Sequence, residues 1–236
     1  MAATVYLIPS LLHEDGLASI PSYITGIVKQ CQVLFVENER TARRYLKTLA
    51  KEIVIDNYEW FTVSGASAAP DTYQLFRKKV KEGKIIGIIS EAGCPGIADP
   101  GQQLVAIAHE MNVEVKPLVG PNSILLALMA SGMNGQQFKF VGYLPIQNPE
   151  RNKAIKELES ESAKKNCTQI FIETPYRNNQ LMEALLSTCQ PSTRICIAVD
   201  LTSEKQFIKT RSVSDWKAEK PAIHKRPAIF LLYCDK

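Results

Sequence analysis

A chain of 236 residues, 45% hydrophobic and 22% charged, has the make-up of an ordinary globular protein and apolar content for two domains of roughly 100 to 120 residues. Its six cysteines show no CxxC spacing, and several sit in apolar runs such as Ile195-Cys196-Ile197, which speaks against a disulfide framework and for reduced thiols in a cytoplasmic protein. No window reaches the length of a membrane span, Met1-Ala2-Ala3-Thr4-Val5-Tyr6 lacks a signal-peptide pattern, and the formal charge of +4 is modest.

The first half alternates strand and helix signals. Residues 4–8 read as a strand. Ile20, Ile24, Ile27 and Val28 fall at helical spacing, 33–36 is a second apolar run, and 40–49 a second helix. A strand at 53–55, a helix over 71–81 and the strand 85–89 follow. Next come a helix carrying Leu104, Ile107, Ala108 and Met111 and the short run Val113-Glu114-Val115. Such βαβ punctuation predicts a mostly parallel sheet.

Beyond Gly120 the pattern changes. A helix at 124–130, a strand at 138–141 and a charged helix at 150–163 precede a strand at 168–172, a helix at 179–186 and a strand at 194–199. Segments 206–213 and 227–233 read as β without an intervening helix, which predicts antiparallel pairing in a mixed sheet. The junction, within 116–120, divides the chain into an N-terminal α/β domain at 1–118 and a C-terminal α/β domain at 119–236.

Two loops stand out. Ser90-Glu91-Ala92-Gly93-Cys94-Pro95-Gly96-Ile97-Ala98-Asp99-Pro100-Gly101 places glycines, prolines and carboxylates directly behind the run 85–89. Ligands of open α/β sheets bind beyond the carboxyl ends of the strands, and glycine lets a ligand lie on bare backbone; the same residues also make a plain strand-to-helix turn. Pro117-Leu118-Val119-Gly120-Pro121-Asn122-Ser123 opens the helix that starts near Ile124, with Asn122 and Ser123 where an N-cap belongs.

Up to Ile146 there are 13 basic and 13 acidic residues, and beyond it 15 and 11, so the basic surplus lies in the second half. Lys164-Lys165, Lys205 to Arg211 and His224-Lys225-Arg226 are clusters of a kind that meets phosphates and, more simply, covers a solvated face. Consecutive residues such as His13-Glu14-Asp15 do not converge on one ion, so no metal is expected. Trp60 and Phe61 read as core side chains in preference to base-stacking ones.

In order along the chain, residues 90–101, Gly120 to Ser123 with Ala130-Ser131-Gly132, and Gly142-Tyr143-Leu144-Pro145 resemble the tetrapyrrole methylase superfamily. Within it they are most similar to the branch of small-subunit ribosomal RNA cytidine 2′-O-methyltransferases, whose first segment has the form SDAGTPGISDPG and whose second is a GPSA-type helix start. Glu173-Thr174-Pro175-Tyr176-Arg177 stands where that branch has an ESPHR-type motif, and Glu37, Arg40 and Arg43 match an acidic and basic pattern after the second strand.

This resemblance implies two α/β domains with S-adenosylmethionine folded into the cleft between them, usually in a homodimer, and methyl transfer to an RNA ribose hydroxyl. It implies cofactor contacts at Pro9, Glu91, Ala92, Gly93, Cys94, Pro121, Asn122 and Ser123, with Ile172, Asp200 and Ala228 carried over from plain strands. Glu37, Arg40, Glu173 and Arg177 are its candidates for aligning or deprotonating the acceptor. Each has a simpler reading. Glu37 with Arg40 makes a local ion pair at a helix start, and Glu173 with Arg177 a cap and a surface charge.

The sequence also departs from that branch. Glu91 stands for its aspartate, Asn38 for an acidic residue after Glu37, and Ser10-Leu11-Leu12-His13-Glu14-Asp15-Gly16 for a more glycine-rich loop. The chain stops soon after Tyr233, where many ribosomal RNA members carry an extension. A tetrapyrrole or other small-molecule acceptor, and a non-catalytic metabolite-binding regulatory protein, are therefore the alternatives.

Overall fold

The computed structural model describes residues 2–63 and 70–234. The chain divides into two units, Met1–Asn122 and Ser123–Lys236.

The first unit contains β1 (Thr4–Ile8), α1 (Ile24–Gln30), β2 (Val33–Val36), α2 (Glu39–Leu49), β3 (Glu59–Thr62), α3 (Pro70–Lys81), β4 (Ile85–Ile89), α4 (Gly101–Glu110) and β5 (Glu114–Pro117). Its strands form one sheet in the order β3-β2-β4-β1-β5, every pair parallel. A parallel sheet has both faces covered, and here two cores do it. Ile24, Val28 and Leu46 of α1 and α2 pack on Tyr6, Ile8, Leu34 and Val36, while Phe76, Leu104 and Ile107 of α3 and α4 pack on Val5, Phe35, Ile86 and Ile88 of the opposite face.

That arrangement creates a crevice. β4 lies between β2 and β1, and the helices that follow those neighbours cover one face while α4, which follows β4, covers the other. Chain leaving adjacent strands in opposite directions opens a gap at their carboxyl ends, where ligands bind in such folds. Gly87 keeps β4 close to its neighbours, since a Cβ there would stand 2.7 Å from both Ile8 Cδ1 and Leu34 Cδ2.

The expected strand at 53–55 does not form. Ile53 is fully buried in the first core, its amide closes a turn onto the Ala50 carbonyl, and Ile55–Asn57 makes one turn of 3-10 helix. Glu59–Thr62 pairs with β2 instead, its Phe61 ring stacked 5.1 Å from Phe35. A three-residue apolar run fills a core as readily as it pairs, and its period does not tell the two apart.

The second unit contains α5 (Ser123–Ser131), β6 (Phe138–Tyr143), α6 (Asn148–Lys165), β7 (Thr168–Ile172), α7 (Asn178–Thr188), β8 (Arg194–Val199), β9 (Phe207–Ser212), α8 (Val213–Ala218) and β10 (Ala228–Tyr233). Its sheet is mixed, in the order β6-β7-β10-β8-β9. β6 and β7 are parallel, β10 is antiparallel to both β7 and β8, and β9 is antiparallel to β8. Ile155, Leu181, Leu185 and Trp216 of α6, α7 and α8 close one face over Phe171 and Phe230. On the other face α5 packs on β8 to β10, and the Thr210 hydroxyl donates to the Ser131 carbonyl at 2.7 Å.

A helix does intervene between the last two strands, contrary to expectation. The Ser212 side chain caps α8 by accepting the Asp215 amide, and Trp216 is driven into the core, its indole donating to the Ile195 carbonyl at 2.9 Å. With only Val213 and Trp216 buried, six residues carry too little periodicity to reveal a helix. β9 and β10 accordingly pair with opposite edges of β8 and not with each other.

Candidate active site

At the carboxyl end of the first sheet, hydrogen bonds and close packing tie the loops after β1, β2, β4 and β5 together. The Ser10 amide donates to the Gly93 carbonyl at 2.9 Å, and Cys94 Sγ donates to the Pro121 carbonyl at 3.5 Å. Tyr45 of α2 donates from below to the Pro9 carbonyl at 2.6 Å. Gly120 lies so close to Pro9 that a Cβ on it would stand 2.1 Å from the proline Cβ. Gly93 adopts a φ of +74°, and a Cβ there would meet Leu12 Cδ2 at 3.1 Å and the Pro121 carbonyl at 3.2 Å, so only glycine suits the position.

Three carboxylates surround this backbone. Asp99 Oδ1 accepts the Gly96 and Gly101 amides at 2.8 and 2.7 Å, bending the loop into an Asx-type turn ahead of α4. Glu37 Oε2 accepts the Glu91 amide at 3.2 Å, and the Thr41 hydroxyl donates to Glu91 Oε1 at 3.4 Å. Burial, the largest influence, lifts the Glu37 pKa; the Glu91 amide opposes the rise, and the charges of Asp99 and Glu91 add to it. Burial also raises Asp99 against its two amide donors, and raises the Cys94 thiol against a hydrogen bond with Asn122.

The departures from the resembling branch have local explanations. Asn38 caps α2, its side chain accepting the Arg40 and Thr41 amides, a task an asparagine performs as well as an aspartate. Glu37 turns to Glu91, and the ion pair at this helix start joins Glu39 to Arg43 at 2.6 Å. The local pairing expected of Glu37 and Arg40 is thus replaced, and Arg40 is exposed.

In the second unit, Glu173, Arg177, Ile172, Asp200 and Ala228 gather at one end of the sheet. β10 runs antiparallel between β7 and β8, so its first residues lie beside their last ones: Ile229 is opposite Ile172, and Ala228 opposite Val199. Glu173 is 5% exposed; its Oε1 accepts Arg177 Nε and Nη2 at 3.0 and 2.7 Å and the Thr174 amide at 2.6 Å. The expected cap and surface charge are therefore one ion pair between a buried carboxylate and a half-exposed guanidinium. Burial acts first, to raise the Glu173 pKa, but Arg177 and the Thr174 amide together hold it below its ordinary value.

Asp200, at a φ of +47°, accepts Arg226 Nε at 2.7 Å, while its amide reaches the Pro227 carbonyl. Thr202 follows at a φ of +73°, a strained backbone for a β-branched residue. Ser123 begins α5 and, unlike Asn122, belongs to the second unit. A cavity of about 660 Å³ between α6 and α7 includes none of the expected residues. Its buried Arg151 staples the Pro145 and Ile146 carbonyls.

Sequence reasoning missed Thr41 and Tyr45, and saw Arg226 only as part of a basic cluster. Arg226 carries no local signal of a partner 26 residues away. The S-adenosylmethionine implied by the resemblance fits what is present in the first unit: the cradle at Gly93 that a Cβ would fill, a buried Ser10 hydroxyl without a partner among the described residues, and the carboxylate of Glu91 for hydroxyl and ammonium donors. Among the described residues no group of three or more His, Cys, Asp or Glu side chains is placed to hold a metal ion, and no helix is long and apolar enough to cross a membrane.

A parallel unit with glycine-rich crevice loops, followed by a mixed five-stranded unit, defines a two-part α/β architecture. The chain belongs to the tetrapyrrole (corrin/porphyrin) methylases, whose family model matches residues 25–216. The ribosomal RNA small subunit methyltransferase I of Micromonospora olivasterospora is 32% identical over 211 residues, 89% of this chain and 63% of that protein. Its namesake from Vibrio cholerae is 32% identical over 163 residues, 68% of this chain and 55% of the relative. That of Halalkalibacterium halodurans is 38% identical over 105 residues, 44% and 35% of the two chains. The chain thus spans from 35% to 63% of the length of these relatives. Among solved structures, the methyltransferase CobJ superposes with a TM-score of 0.61 at 16% identity, over 98% of this chain and 93% of that one. That likeness is one of fold.

Proposed function

We propose that the protein is an S-adenosylmethionine-dependent methyltransferase whose acceptor is a ribose 2′-hydroxyl of small-subunit ribosomal RNA. The carrying observation is the stapled set of crevice loops in the first unit, with a glycine-only cradle and a carboxylate of raised pKa, in a methylase-family chain whose relatives are named for that RNA. S-adenosylmethionine supplies, when bound, a methyl group on a cationic sulfur that leaves as a neutral thioether.

What remains for the protein is to align the acceptor and take its proton. Half-buried Glu37 is a better base than buried Glu173, since partial burial and like charges raise its proton affinity, and its Oε1 is not the oxygen engaged by the Glu91 amide. Glu173, held ionised by Arg177, is a weaker base and suits positioning; Arg40, exposed at the start of α2, suits contact with the acceptor. Pro9, Glu91 to Cys94 and Pro121 to Ser123 are assigned to the cofactor, chiefly through backbone, with Ile172, Asp200 and Ala228 as further contacts. A homodimer acting in the cytoplasm completes the assignment.

The test is calorimetric titration with S-adenosylmethionine, then transfer of a tritiated methyl group to small-subunit RNA lacking its own modifications. Binding with labelled RNA is expected, and Glu37→Gln should keep cofactor binding while losing about a hundredfold in transfer rate. Binding with label only in a tetrapyrrole or other small molecule would replace the acceptor. No binding would remove the methyltransferase assignment altogether.

A further inference from the structure

Residues 205–226 hold seven basic and two acidic side chains, a surplus of five where the whole chain has four. The structure gathers much of that charge along one groove. β9 is an edge strand on which Phe207, Lys209 and Arg211 share a face, and with Glu219, Lys220 and Arg226 they line a groove of about 340 Å³.

The cations of the groove divide into two kinds. Arg211 is bound to Glu219 at 2.7 Å, and Arg226 is fixed by Asp200, the Ala222 carbonyl and the Lys205 carbonyl; these build the walls. Lys209 is exposed and, among the described residues, has no carboxylate within ion-pair distance, although its charge reaches Glu219. Lys220 is exposed, its carboxylate partner Glu183 being 3.8 Å away. These two are available to outside anions.

The groove also leads to the candidate site of the same unit. Arg226 joins it to Asp200, and the Lys225 amide donates to the Pro175 carbonyl at 3.0 Å. Lys225 Nζ sits 5.6 Å from the centre of the Tyr176 ring. Tyr176, within the Glu173 to Arg177 segment, is 70% exposed. Lysines that track a backbone next to an open aromatic ring are the means by which proteins hold single-stranded nucleic acid. Among the described residues of 205–226 no large hydrophobic is exposed, so nothing there inserts into a bilayer.

We propose that this groove carries a single-stranded segment of the RNA acceptor, with phosphates on Lys209 and Lys220 and a base stacked on Tyr176 beside the Glu173–Arg177 pair. The proposal rests on the RNA methyltransferase assignment above.

The experiment is fluorescence anisotropy of the full chain with a labelled single-stranded RNA oligonucleotide copied from small-subunit ribosomal RNA, across a range of salt. The double variant Lys209→Ala/Lys220→Ala should lower the slope of log affinity against log salt by roughly 1.4, two phosphate contacts on single-stranded RNA. Tyr176→Ala should weaken binding by about fivefold or more. A control with Lys51→Ala/Lys81→Ala should keep the wild-type slope, and the calorimetric affinity for S-adenosylmethionine should be unchanged in every variant. A wild type that methylates RNA while the double variant keeps its slope and rate overturns the groove alone. A wild type that binds S-adenosylmethionine but neither binds nor methylates RNA removes the acceptor assignment, and the groove with it. Equal capture of phosphatidylserine vesicles, lost in the same double variant, also overturns the proposal in favour of a membrane surface.

Discussion

The carboxylate of Glu37 sits where burial and the charges of Asp99 and Glu91 oppose its ionisation. A carboxyl whose folded pKa lies above its unfolded value favours the fold while protonated, so its stabilising contribution is full below the unfolded pKa and is lost as pH rises through the folded one. Glu37→Gln should therefore unfold at higher urea than wild type at pH 8, the two midpoints converging near pH 4. Equal midpoints at both pH values would show that Glu37 is not perturbed. Gly120 is a second residue-scale constraint. Its missing Cβ leaves room for Pro9, and Gly120→Ala should cost about 1–3 kcal/mol by overpacking, measured by denaturant unfolding, while weakening S-adenosylmethionine binding. The sequence showed a glycine at a strand-end loop; the side chain it makes room for lies more than a hundred positions earlier.

At the scale of elements, helices with long amphipathic stripes were legible and short elements were not. α2 and α4 present their apolar residues at helical period, and a period that long excludes a strand. β3 and α8 were missed because each has too few apolar positions to establish a period: a run at 53–55 was taken by the core, and Trp216 lies between the two segments that read as β, 206–213 and 227–233. Capping was legible in part. Asn38 was noted only as a departure, yet it accepts two first-turn amides of α2. Asn38→Ala should destabilise the protein by about 1 kcal/mol, whereas Asn38→Asp should keep the cap. Thermal unfolding of the three proteins side by side checks this, and equal losses in both variants would assign the effect to something other than capping.

For the whole molecule, the two units have separate hydrophobic cores, and the loops assigned to the cofactor through backbone lie mostly in the first. Anything that binds the folded state stabilises it by mass action, about 2.7 kcal/mol at a hundred times its Kd. Saturating S-adenosylmethionine should accordingly raise the calorimetric transition temperature, and Gly120→Ala should reduce that shift. A shift of full size in the variant would separate the Pro9–Gly120 packing from cofactor binding. The charge distribution also has meaning only at this scale, because a nearly balanced chain places Lys209, Arg211, Lys220 and Arg226 around one groove of the second unit.

The sequence by itself determined the alternation of helix and strand, the mixed character of the second sheet and the motifs that resemble the methylases, since all of these reside in local periodicity and short spacings along the chain. Only the tertiary structure decided that β4 runs between β2 and β1, that Ser10 meets Gly93, that Arg177 pairs with a buried Glu173 and that Arg226 fixes Asp200. Strand order and ion pairing depend on which distant surfaces are buried together. Local backbone preference favours many such arrangements, and the packing of the two cores selects among them.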